Sequence, residues 1–269
     1  MKKRLIGILM AFTLANSVLL AGCGSEASSQ DDDLLSQIQD RGKIVFAMEG
    51  QWAPWTYHDE SGELIGYDTE VGKAIADKLG VEAEFVEGEW DGLFAGLDAG
   101  RYDAIINGVE ITEEREQKYD FTTPYAYIRT ALCVKGDNTS ITSFEDLNGA
   151  KTSNSLGSTY ADLAESYGAT VENVDTLAET IDMILSGRVD ATLNAEESFY
   201  DYLGEHPEAD IKLVDFTVDA SQISIPLRKG EETELLRLKI DEAIEELSED
   251  GTLTTLSYKY FGNDISQEE

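Results

Sequence analysis

The sequence predicts an α/β protein of two lobes, each built around its own parallel-rich sheet. Three observations carry this. A short pattern occurs twice, GRYDAIIN from Gly100 to Asn107 and GRVDATLN from Gly187 to Asn194, in a chain that is otherwise non-repetitive. Each copy follows a helical apolar stripe and itself reads as a buried strand, so each is a helix-to-strand unit. Strands and helices alternate around both copies, the pattern of parallel sheets packed with helices.

The elements follow in order. Met1-Lys2-Lys3-Arg4 is basic, Leu5 to Leu20 is apolar, and Leu20-Ala21-Gly22-Cys23 ends the run in small residues. That is the layout of an export signal with its cleavage site. A single membrane anchor is the alternative reading, opposed by the position of the stretch and by its LAGC ending. The segment resembles a bacterial lipoprotein signal, which implies a signal peptide at 1–22 and lipidation of Cys23. Residues 23–36 would then be a small, acidic tether from the lipid to a soluble domain.

Residues 43–49 read as a strand, and Tyr67 to Leu79 as a helix with Val71, Ile75 and Leu79 facing a core. Residues 81–87 alternate as a strand does. Trp90, Leu93, Phe94 and Leu97 make the stripe before the first copy, with Gly100 as the stop. Leu177, Ile181, Ile184 and Leu185 make the stripe before the second, stopped at Gly187. Between them, a helix opens at Ser158 or Thr159 and a strand follows at "ATVENV". A long helix near the C-terminus presents Leu235, Leu238, Ile240, Ala243, Ile244 and Leu247, and a shorter one follows Gly251.

Composition narrows the function. The 54 acidic residues outweigh 20 basic ones for a net charge of −34, which repels nucleic acid and anionic lipid headgroups. With Cys23 lipidated, Cys133 has no disulfide partner and reads as a buried strand residue, not a nucleophile. No cysteine or histidine spacing fits a metal site, and no cofactor is called for. His58 and His206 sit in no motif, so a catalytic triad is not supported.

Longer stretches match something specific: "GQWAPWTYHDESGELIGYDTEVGKAIADKLG", "WDGLFAGLDAGRYDAIINGVEITEER", "YDFTTPY" and "EDGTLTTLSYKYFG". They resemble the extracellular solute-binding proteins of polar amino-acid ABC transporters, in the family's motif order across residues 40–262. "SFEDLNGAKTSNSLGSTYADLAESYGA" and "GRVDATLN" are most similar to the cystine-type binders. The resemblance implies a periplasmic-binding-protein-like fold of type II with the ligand cleft between lobes. Lobe 1 would hold residues 37–127 and 222–262, lobe 2 residues 128–221, and 263–269 a C-terminal tail. Hinge strands would lie near "YAYIR" and "VDASQ". Its partners would be a free amino acid, an ABC permease and the membrane, reached through lipid on Cys23, with the protein a monomer.

The resemblance also nominates site residues. Arg115 matches the arginine that forks onto the ligand's α-carboxylate, a task suited to a planar, permanently charged guanidinium. The helix opening at Ser158 and Thr159 offers the same anion its free N–H groups, unless those hydroxyls serve only as N-caps. Trp52 and Trp90 would enclose the ligand, although Trp90 also fits its helix's core stripe. The ends of the two copies add Gly108 and Asn194. Where relatives usually carry an aspartate for the ammonium, this chain has Ala195, and Glu110 stands where many have Ser or Thr. Glu110 is therefore the expected ammonium partner, with Glu196 as the alternative. Two other functions stay open: a ligand-sensing module for a membrane receptor, and a dehydratase-type enzyme using Glu110 or Glu196 as a general acid or base.

Overall fold

The two copies of the repeat occupy matching places in two separate five-stranded sheets. The computed structural model describes residues 33–268. The signal-like stretch 1–22, Cys23 and tether residues 24–32 lie outside the described residues. The tether ends sooner than expected, because Asp33 accepts a hydrogen bond from the Ser36 amide at 2.9 Å and caps a helix, Leu34–Arg41. Leu34 and Ile38 of that helix then bury in the core.

The first sheet runs in the order Glu82–Glu87, Lys43–Met48, Ala104–Ile105, Pro226–Arg228, Tyr119–Phe121. The second runs Thr170–Asn173, Lys151–Asn154, Ala191–Ala195, Thr130–Lys135, Ile211–Phe216. In each, the first three strands are parallel and the last two join antiparallel, so both sheets are mixed. Ala104 of one copy pairs with Phe46, and Ala191 of the other with Thr152. The antiparallel strands exist because the chain changes lobe twice. Ala126–Ile128 runs on into Thr130–Lys135, and Ser221–Ser224 runs on into Pro226–Arg228. These two crossing segments pair with each other, with Ser221 opposite Ile128. Val109–Glu110 completes this small antiparallel sheet between the lobes.

Helices cover the sheets as the stripes require. Tyr67–Leu79 forms as predicted and buries Val71 and Ile75. The C-terminal helix Glu231–Glu249 buries Leu236, Ile240, Ala243, Ile244 and Leu247 against the first lobe, and Thr252–Phe261 packs beside it. The expected stripe is corrected here: Leu235 and Leu238 are exposed, and Leu236 takes the inward position. Beyond the last helix, Ile265 is buried and its carbonyl accepts from the Tyr127 amide at 2.7 Å, so the C-terminal segment docks on a crossing strand. Cys133 is fully buried in the second sheet, and burial pushes its thiol up to about 12. No helix among the described residues is long and apolar enough to cross a membrane. No group of three or more His, Cys, Asp or Glu among them could hold a metal ion.

Candidate ligand cleft

The strand of the first copy is shorter than its apolar run, and the reason leads to the site. Ladder pairing stops after Ile105 because Asn107 and Gly108 turn the chain into the space between the lobes. Gly108 adopts φ +53°, and a Cβ there would meet the Trp52 ring at 2.6 Å, so only glycine lets the indole lie against this turn. Asp68, buried beneath it, accepts from the Gly108 amide and the Tyr125 hydroxyl, both at 2.7 Å. Burial pushes the Asp68 carboxyl up to about 7 against the pull of those two bonds.

A cavity with about 590 Å³ of empty space, part of it open to solvent, lies between the lobes at the carboxyl ends of the strands. That is where open α/β sheets bind ligands, and the volume suits a small molecule. Trp52, Trp90, Gly108, Glu110, Arg115, Ser158, Thr159 and Asn194 all line it. The lobes meet over it. The Trp52 indole Nε1 donates to Asn194 Oδ1 at 3.2 Å, and Arg115 Nη2 donates to the Gly157 carbonyl at 3.2 Å.

Arg115 sits on the short helical turn Glu113–Glu116, started by the Thr112 hydroxyl accepting from its amide at 3.1 Å. Its guanidinium lies 5.3 Å from the centroid of Trp90 and 5.5 Å from that of Phe94. Nη1 donates to the Glu110 carbonyl at 2.9 Å. Carbonyls thus orient the fork while leaving donors over for an anion. Trp90, at the start of its helix, does both things its position allows: it lines the cavity under the guanidinium and packs partly against the core that Leu93 and Leu97 enter. Ser158 caps its helix by accepting from the Ala161 amide at 3.1 Å.

Glu110 is 7% exposed, and its Oε1 has no partner. Burial raises its carboxyl, while the Thr159 and Ser221 hydroxyls and the charge of Arg115 act in the opposite sense. Asn154 makes a second unmet acceptor. Its Nδ2 donates to the Leu193 carbonyl at 2.7 Å, leaving Oδ1 buried with no partner at the cavity wall. Glu196 does not share the site. As first residue of the helix Glu196–Glu205 it turns away from the cleft, and both of its oxygens accept from Arg129 at 2.9 to 3.3 Å.

Sequence reasoning missed two acids of the cavity lining, Glu49 and Asp175. Glu49 follows the first strand, and Asn107 holds it twice: the Glu49 amide donates to Asn107 Oδ1 at 2.8 Å, and Asn107 Nδ2 donates to Glu49 Oε2 at 2.7 Å. Burial pushes the Glu49 carboxyl up to about 7, the Asn107 bond opposes it, and the charges of Glu89 and Asp175 add to burial. Asp175 lines the cavity from the other lobe, near enough for its charge to act on Glu49. A lone acid after a strand, in a chain this acidic, gives no signal to find it by.

Comparison with known proteins adds to this geometry. Residues 44–263 match the family described as bacterial extracellular solute-binding proteins, family 3. The L-cystine-binding protein TcyA of Bacillus subtilis is 37% identical over 99% of this chain and 100% of its own length. An ancestral arginine-binding protein solved with arginine is 38% identical, covers 82% of this chain and 99% of its own, and superposes with a TM-score of 0.77. The L-cystine solute receptor of Neisseria gonorrhoeae, solved unliganded and open, is 39% identical over 88% of this chain and 100% of its own, yet its TM-score is 0.61. At nearly equal identity the ligand-bound structure fits better, in line with the direct bonds that join the lobes here.

Proposed function

Because the chain belongs to the bacterial extracellular solute-binding proteins, family 3, and serves amino-acid import by an ABC transporter, we propose how its cleft captures the cargo. Arg115 and the helix opening at Ser158 and Thr159 take the α-carboxylate. Glu110 Oε1 and Asn154 Oδ1, two buried acceptors without partners, take the ammonium. Glu110 thereby replaces the aspartate absent at Ala195. Trp52 and Trp90 wall off water, which strengthens each charged contact. The observation that carries this reading is the pairing of a half-free arginine fork with two unmet acceptors in one cavity. An ammonium between them would satisfy groups whose burial is otherwise costly.

Closure follows from the same contacts. Arg115 and Glu110 lie on the first-lobe side, Asn154 and Thr159 on the second, so a ligand holding both favours the closed form by its extra contacts there. The crossing strands absorb the rotation. No chemical step is required, and the closed form is what a permease would receive. The protein acts as a monomer tethered by lipid on Cys23.

A thermal-shift panel of the twenty amino acids plus cystine tests this. A ligand at a hundred times its dissociation constant adds about 2.7 kcal/mol, a rise of roughly 5–10 °C at this size. No shift with any α-amino acid would refute the assignment.

A further inference from the structure

The small sheet between the lobes has two edges, and the cleft uses only one of them. Its strands run in the order Val109–Glu110, Ser221–Ser224, Ala126–Ile128, and Glu110 at the first edge lines the cleft. At the other edge, Tyr127 lines a second crevice with about 1000 Å³ of empty space, part of it open to solvent. The two cavities share no lining residue. Both crossings wall the crevice, the first through Tyr127 and Arg129, the second through Val218, Asp219 and Ala220. The second lobe adds Glu196 and Glu197, and the C-terminal segment adds Asp264 and Glu268.

Its charges favour a cation. Among the described residues that line it, Arg129 is the one base, set against Glu196, Glu197, Asp219, Asp264 and Glu268. Arg129 is already engaged: Nε and Nη2 donate to the Glu196 carboxylate at 2.9 to 3.3 Å, and the guanidinium lies 5.4 Å from the Phe216 ring centroid. Glu197 has no such match. It is only 6% exposed, and its Oε2 is buried without a hydrogen-bond partner. A carboxylate oxygen left in that state costs free energy that a charged donor would recover.

The acids stand in separate places. The charges acting on Glu197 are those of Glu196 and Arg129, and neither Asp219 nor Asp264 is among them. Asp264 is fixed on its own: Oδ1 accepts from the Ser266 amide and hydroxyl at 3.0 and 2.6 Å, and Oδ2 from the Thr254 hydroxyl at 3.0 Å. Tyr127, Ala220 and the almost fully exposed Val218 give the wall apolar surface on which an alkyl stem can pack. No group of three or more His, Cys, Asp or Glu among the described residues could hold a metal ion, so a bare metal finds no shell here. An ammonium needs none, because its three donors bond single oxygens.

We propose that this crevice is a second ligand site, for a small diamine. One ammonium meets Glu197, the other meets Asp219 and Asp264, and the alkyl stem lies across Tyr127 and Val218. The site stands independently of what the cleft captures.

Calorimetric titration of the purified protein with putrescine, a four-carbon diamine, tests this at pH 8. About 0.15 M salt screens diffuse attraction to the acidic surface. Putrescine should bind one to one, at least ten-fold tighter than butylamine, which has a single ammonium. Glu197→Gln should weaken it at least ten-fold. Asp219→Asn changes an exposed position and should weaken it a few-fold, which keeps the test open should the buried variant fail to fold. Glu110→Gln should leave it unchanged. Loss on Glu110→Gln would put the diamine in the cleft and overturn the second site. Butylamine binding as tightly, binding that never saturates, or affinity indifferent to both Glu197→Gln and Asp219→Asn would overturn it too. None of these results bears on amino-acid capture, which the thermal-shift panel decides separately.

Discussion

The two copies of the repeat are nearly the same string, yet only part of each does the same work. Gly100 and Gly187 adopt φ +66° and +69° and end a helix alike. Asp103 Oδ2 accepts from the Val45 amide at 2.7 Å, and Asp190 Oδ2 from the Lys151 amide at 2.9 Å, each tying its copy to the neighbouring strand. Ala104 and Ala191 are both fully buried. The asparagines diverge. Asn107 binds within its own lobe, to Glu49, whereas Asn194 reaches across to Trp52. The lesson is that the shared letters are mostly those of a folding unit, and function lies in the residue that ends each unit and what comes next.

The largest way to sharpen that contrast lies just past the first copy. Arg115→Ala removes the fork that only the first lobe supplies, and amino-acid affinity should fall at least 100-fold, about 3 kcal/mol. Arg115→Lys should recover only part of it, because a point charge cannot fork. Unchanged affinity in calorimetry for Arg115→Ala would move the carboxylate site to the second lobe alone.

Next comes the pair of aspartates that the copies share. Asp103 is 4% exposed and also ion-pairs with Arg41, while Asp190 is exposed. Asp103→Asn should cost about 1–3 kcal/mol and Asp190→Asn under about 1 kcal/mol in denaturant unfolding. Equal costs would mean that the strand tie alone matters and burial does not.

A third test uses the buried acids near each copy. Asp68 holds the Gly108 amide just past the first, and Glu197 lies three residues past the end of the second with its Oε2 unpartnered. Burial pushes each carboxyl up to about 7; the Tyr125 hydroxyl and Gly108 amide oppose this at Asp68. At Glu197 its own amide and Arg129 oppose it, and the Glu196 charge adds to it. A carboxyl raised on folding holds its proton longer in the folded chain, so folding takes up protons between the unfolded and folded values. Stability therefore falls as pH rises from about 4 through 7. The ligand-free protein should melt higher at pH 5.5 than at pH 7.5, by on the order of 1–2 kcal/mol from Asp68 alone. Asp68→Asn should flatten the profile more than Glu197→Gln. A melting temperature that rises from pH 5.5 to 7.5 would contradict this.

How much of this was legible depended on whether a residue's task is repeated along the chain. The helix Tyr67–Leu79 was readable because its stripe recurs every turn, and the carboxyl-end position of Asn194 was readable from the second copy. The mixed sheets were not, because a strand's direction is set by which lobe the chain has just left, and Thr130–Lys135 looks the same either way. Glu196 was misplaced for a related reason. It is one residue from Ala195 in sequence, but a helix begins there and turns its side chain to Arg129. Asn154 and Glu49 depend on contacts with distant partners, Leu193 and Asn107, and no local pattern encodes those.

The smallest effect tests the asparagines themselves. Asn194→Ala removes the Trp52 bond, which exists only while the lobes touch, together with a local bond from the Ala195 amide, so its main effect should fall on closure and not on folding. The ligand's dissociation constant should rise a few-fold, up to about 1 kcal/mol, with the ligand-free melting temperature nearly unchanged. Asn107→Ala should do the reverse in kind: it frees Glu49 from two bonds inside one lobe, lowers the ligand-free melting temperature, and disturbs binding through the acid it no longer holds. Measuring both quantities for both variants separates a cross-lobe contact from a within-lobe brace. If Asn194→Ala destabilised the ligand-free protein as much as Asn107→Ala does, the Trp52 bond would be part of the resting fold. The second copy would then brace the structure as the first does, and closure would rest on Arg115 and the ligand.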